Sequence, residues 1–257
     1  MYVILYSGRR KVLSERERKS MQNNADNPIY LQIAKRVAIA MLETEYKVHK
    51  EYDGLFVTHP YINSTVLIDE DGLYDIRKYP ERYNRFKTQL EQHINKCTSI
   101  ERILYIMQKT YRIQYLYLLV QYNVPVELCG NLLGSIWVAL ENNDLQPPDI
   151  RKVMHQMLNA SDYTRYTTVD DQNIFKNLPE RIKIYRGAQL GEPKRGFSWS
   201  VDRNVAVWFA KRFNATNPVV HTATISKKYV YFYTNAANEQ EVVVDYTHIN
   251  RVDTEYL

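Results

Sequence analysis

The chain has 257 residues, 45% of them hydrophobic, which is enough to fill one large domain or two small ones and too many for a disordered polypeptide. With 34 basic residues against 29 acidic ones, the formal charge of +5 permits an anionic small molecule or a nucleic acid as partner without demanding either. Cys97 and Cys129 are the only cysteines, far apart and outside any metal-like cluster, which predicts two ordinary thiols in a reducing compartment and no disulfide.

The first residues, Met1-Tyr2-Val3-Ile4-Leu5, run at once into Arg9-Arg10-Lys11, without the basic stretch and long apolar run of an export signal. Asn27-Pro28 reads as an N-cap followed by proline at the first helical position, and Ile29, Ile33, Val37 and Met41 then repeat at helical spacing. Between residues 64 and 76, Thr65-Val66-Leu67-Ile68 and Leu73-Tyr74 flank Asp69-Glu70-Asp71-Gly72, which predicts a hairpin with an Asp-Gly turn. A calcium loop is set aside there because no Glu closes it at the required distance.

Ile100, Ile103, Leu104, Met107, Tyr111, Tyr115, Leu118, Leu119 and Tyr122 form a continuous apolar stripe that predicts one long helix, opened by Thr98 or Ser99 and stopped before Pro125. Its charges, Arg102, Lys109 and Arg112, exclude a span through hydrocarbon, so a soluble chain with no membrane partner is expected. Further helices are predicted from about Val126 to Asn142 and from Pro148 onward, joined by short loops and packed antiparallel. The tyrosines of this region read as core aromatics whose hydroxyls find a polar partner.

Near Tyr163 the pattern changes to strands: Arg181 to Tyr185, Val220 to Thr224, Tyr229 to Tyr233, and Glu241 to Tyr246 with its three consecutive valines. One helix interrupts them, with Val205, Trp208, Phe209 and Phe213 predicted on its buried face after the capping acid Asp202. The six histidines are scattered, with no pair at zinc spacing, so no metal is predicted.

Within this half lie three short motifs in order. Arg186-Gly187 ends a strand, placing a permanently charged planar fork beside a residue that lets a ligand approach bare backbone. Ser198-Trp199-Ser200 is an extended segment whose two serines share a face, and Glu239-Gln240-Glu241 enters the valine strand, where period-two geometry sets both carboxylates on one side. An acid at the edge of a buried strand needs a reason to be kept.

Together these motifs resemble the signature of ADP-ribosyltransferases of the Arg-Ser-Glu class, over residues 181–245. The phrase Ser198 to Arg203 followed by Ala206-Val207-Trp208-Phe209-Ala210 is similar to phage and bacterial proteins of that type. The resemblance implies an enzyme that cleaves the nicotinamide glycosidic bond of NAD and transfers ADP-ribose to a protein acceptor. Arg186 would contact the NAD phosphates or ribose, the Gly187 main chain the nicotinamide amide, and Ser198, with Ser200 beside it, the ribose and the catalytic glutamate. Glu241 would be that glutamate and Glu239 the residue that holds the acceptor. Glu-x-Glu members usually modify arginine, and the family's middle Thr is Trp199 here.

The expected fold is α+β, with a mainly helical region over residues 1–162 and a catalytic domain of two facing sheets, cleft between them, over 163–257. The expected setting is the cytoplasm, that of a bacterial host if the chain is phage-encoded, with a host protein as target. Two other functions fit the same residues: an NAD glycohydrolase or NAD-depleting toxin, and an inert module that binds nucleic acid or protein.

Overall fold

The computed structural model describes residues 27–140, 146–212 and 216–257, the side chain of Tyr52 apart. The readings made at Met1 to Lys11, at Asn142 and at Phe213 lie outside the described residues. Helix α1 (Pro28–Leu42) starts as its sequence demands: the Asn27 side chain accepts from the Ile29 amide at 3.0 Å, and Pro28 occupies the first turn. Two short pairs of strands follow, β1 (Lys47–Val48) with β2 (Val57–Thr58) and β3 (Val66–Asp69) with β4 (Gly72–Asp75). The second is the expected hairpin. Gly72 takes φ 96° and the Asp69 carboxylate accepts from the Asp71 amide at 2.9 Å, so the turn acid serves the backbone.

Helix α2 (Pro80–Lys96) has no counterpart in the sequence reading, because it buries only Tyr83 and Ile94 and its apolar stripe is too sparse to stand out. The long helix expected from Ile100 to Tyr122 is instead two, α3 (Ile100–Ile106) and α4 (Arg112–Gln121), with a 3₁₀ turn at Lys109–Tyr111 between them. A tertiary contact breaks it: the Gln108 amide leaves the helical ladder to donate to the Pro60 carbonyl at 2.9 Å, and Met107 is extended at ψ 150°. Ser99 caps α3 and Tyr115 is buried with its hydroxyl on the Ala34 carbonyl, as expected of a core tyrosine. Helices α5 (Val126–Ile136) and α6 (Pro148–Ala160) complete the layer. Both cysteines are buried and free.

Helix α7 (Val169–Asn177), closed by a capping box between Thr168 and Asp171, leads into the strands. These are β5 (Arg181–Gln189), β6 (Ser198–Ser200), β7 (Pro218–Ser226), β8 (Val230–Thr234), β9 (Glu241–Val244) and β10 (Val252–Tyr256), with helix α8 (Arg203–Lys211) after β6. They form one sheet in the order β10-β7-β5-β6-β9-β8, every neighbouring pair antiparallel. The two expected facing sheets are therefore one hydrogen-bonded sheet. Its halves are joined at a single registered pair, Tyr185↔Ser200, because β6 has only three residues while β5 has nine.

One side of the pleat carries Ile182, Ile184, Trp199, Ala223, Tyr233, Val242 and Val244, drawn from both halves into one apolar core. On the other side Phe197, Phe232 and Val243 join the core of the helical layer, so the helices and the β6-β9-β8 half share their interior. No helix among the described residues is long and apolar enough to cross a membrane.

Candidate active site

The three motifs, separated in sequence, fall on neighbouring strands, β5, β6 and β9. Glu241, the first residue of β9, is registered with Ser200 on one side and Thr234 on the other. Its residue is only 9% exposed, although a buried carboxylate is unfavourable unless donors replace the lost water. One such donor comes from the helical layer: the Trp137 indole Nε1–H donates to Glu241 Oε1 at 3.0 Å. Trp137 follows the end of α5, is 2% exposed, and stands edge-on to Phe197 and Phe232 with ring centres 6.0 Å away in each case. A buried hydrogen bond contributes about 0.5–1.5 kcal/mol, rising to about 3 kcal/mol where the acceptor is ionised, and each aromatic contact roughly 0.5–1.5 kcal/mol. The sequence offered no sign of this residue's role, because Trp137 and Glu241 are 104 positions apart.

Arg186 and Gly187 sit just past the pair that joins the half-sheets, where β6 leaves β5. Alternation from that pair sets Arg186 on the opposite face of β5 from Ser200 and Glu241. Its guanidinium reaches across the divergence, Nη1 donating to the Ser198 carbonyl at 2.9 Å. Arg186 thus meets the Ser198 main chain, while Ser198 itself is half-buried and registered with Val243.

Gly187 has a reason other than ligand approach. A Cβ at this position would lie 2.0 Å from the Ala206 carbonyl oxygen and 2.5 Å from the Ala210 nitrogen, so the backbone of α8 fills the space that a side chain would need. The same contact overturns the expected face of α8. Its buried residues are Ala206 and Ala210, small enough for this approach, while Trp208 is 62% exposed.

Ser200 holds the entry to β9: its hydroxyl donates to the Glu239 carbonyl at 2.8 Å and accepts from the Asp202 amide at 3.0 Å. Asp202 caps α8 by accepting from the Asn204 amide at 2.8 Å. The period-two reading of Glu239 and Glu241 does not hold, because extended backbone begins only at Glu241. Asn238 and Gln240 take φ 58° and 45°, a left-handed turn on either side of Glu239. Glu239 is half-buried in that turn, and burial raises its carboxyl above the usual range, with Arg212 opposing from nearby.

His221, registered with Arg186 across the β5-β7 pair, is a further buried group of this region. Its Nδ1 lies 3.0 Å from the Thr254 hydroxyl, and burial, with Arg186 and Lys194 adding to it, lowers its imidazole below the ordinary value. Among the described residues no group of three His, Cys, Asp or Glu could hold a metal ion. No family model, curated protein or solved structure matches the chain.

Proposed function

We propose that the protein is an NAD-dependent mono-ADP-ribosyltransferase, with Glu241 as its catalytic carboxylate. The observation that carries this reading is the placement of Glu241: a buried acid at the head of a central strand, registered with Ser200, bonded to Trp137, and one strand away from the Arg186–Ser198 contact. A carboxyl withheld from water at the head of an otherwise valine strand is the kind of group that active sites use, beyond the bond it makes to Trp137.

In the proposed reaction the bond between ribose C1′ and nicotinamide nitrogen breaks and nicotinamide leaves with the bonding pair. The fixed charge of Glu241 stabilises the oxocarbenium-like sugar that remains. An acceptor nitrogen of a target protein, favoured to be an arginine guanidinium, closes the new bond to C1′ and releases a proton to Glu239. The raised carboxyl of Glu239 suits a proton acceptor better than an exposed acid would. Ser198 is assigned to the ribose, and Arg186, rooted on the opposite face of β5, is assigned to the phosphates along the path its guanidinium already takes toward the Ser198 carbonyl. Main-chain groups on the edge of β5 beyond Tyr185, past its one pair with β6, are assigned to the nicotinamide amide.

Labelled NAD incubated with the protein and a bacterial lysate tests the reading. Label on a protein supports transfer, free ADP-ribose without labelled protein indicates a glycohydrolase, and unchanged NAD leaves a binding module.

A further inference from the structure

A cavity of about 680 Å³ is lined, among others, by Arg151 of α6, Lys194 and Arg195 of the β5-β6 connection, Tyr246, Thr247, and Val252 of β10. None of these belongs to the site assigned above. Three cations from two separate segments, α6 and the β5-β6 connection, face one space. Among the described residues none of the three is ion-paired: Arg195 donates to the Asn250 carbonyl at 3.1 Å, and the Arg151 Nε is buried without a hydrogen-bond partner. Acids beside the lining are otherwise engaged: Asp245 accepts from the Thr247 amide and hydroxyl and has His155 and His248 at 3.5 and 3.6 Å, Glu192 accepts from the Gln189 amide, and Asp253 pairs with Arg251.

Lys194 and Arg195 are exposed and keep their water, but the buried Arg151 Nε lacks an acceptor, and an anion seated among the three cations would supply one while drawing on all three charges. We propose that the cavity binds a phosphate-bearing small molecule of nucleotide size. Two guanidiniums and an ammonium match the several oxygens and multiple charge of a phosphate or pyrophosphate better than the single charge of a carboxylate. The volume exceeds that of a bare phosphate and lies within the range of small-molecule sites, and Tyr246 and Val252 supply an apolar wall for the remainder of the ligand. The proposal stands apart from the transferase reading and survives its failure.

Calorimetric titration with inorganic pyrophosphate, ADP and adenosine tests it. Pyrophosphate and ADP should bind and adenosine should not. Arg151→Gln, and separately the exposed pair Lys194→Gln/Arg195→Gln, should each weaken both phosphate probes about tenfold or more, the worth of a charge-assisted bond. Lys78→Gln, an exposed cation outside both sites, should weaken them less than twofold. Failure of both phosphate probes to bind at millimolar concentration overturns the proposal, as does adenosine binding as tightly as ADP. Loss of affinity in Arg186→Gln with affinity kept in Lys194→Gln/Arg195→Gln would move the ligand to the other site and overturn it equally.

Discussion

A buried carboxyl needs donors to stand in for the water it has lost, and the Trp137 indole is such a donor for Glu241. Trp137→Phe keeps an aromatic ring between Phe197 and Phe232 and removes the N–H alone. Urea unfolding should show a loss of about 1–3 kcal/mol, the cost of leaving a buried acceptor short of a partner. Nicotinamide release should fall in kcat with little change in KM, since the indole is proposed to act only through the carboxylate it holds. Unchanged stability and unchanged kcat would mean that this bond does not hold the carboxylate. The candidate residues themselves were legible as an ordered set of motifs. Their surroundings were not, because the donor for Glu241 arrives from a distant helix and the left-handed turn at Gln240 has no glycine to announce it.

The contact between α8 and β5 is set by small residues on both sides. Gly187→Ala would drive a Cβ against the Ala206 carbonyl, backbone that cannot swing aside, so α8 must shift. A loss of roughly 1–3 kcal/mol in denaturant unfolding is expected, as for other overpacked contacts, and full stability would show that the helix has room to move. This element also shows what periodicity misses. The large residues Trp208 and Phe209 suggested the buried face, whereas close backbone approach selects Ala206 and Ala210. Helix α1 and the hairpin were legible because local caps and turn residues determine them. The break between α3 and α4 was not, because a carbonyl from another segment, that of Pro60, makes it.

At the scale of the molecule, the helical layer is part of the same interior as the strands that carry Ser198 and Glu241, through Phe197, Phe232, Val243 and Trp137. Three histidines, His59 and His221 buried and His155 half-buried, are each held below their ordinary value, chiefly by loss of water. Each takes up a proton less readily folded than unfolded, so their contribution to stability is complete above the unfolded value of about 6.5 and is lost as the pH falls through that value toward the folded ones. Asp75, held at about 2 by Arg77, stays ionised in this window, while the raised carboxyl of Glu239 has the opposite sign and reduces the slope. Thermal unfolding midpoints should therefore drop between pH 7.5 and pH 5, and less steeply in His59→Gln. A flat profile would contradict the assignment of these histidines as groups held neutral in the fold.

The most direct test of the whole account is nicotinamide release from NAD, measured with transfer to protein, for wild type, Glu241→Gln and Glu239→Gln. Glu241→Gln keeps the size of the side chain and an oxygen for Trp137 but removes the charge proposed to face the sugar. Both activities should fall by about a hundredfold or more, the scale of losing an electrostatic transition-state group. Glu239→Gln should lose transfer and keep hydrolysis, since water needs less positioning than an acceptor side chain. Full nicotinamide release in Glu241→Gln would contradict the central claim.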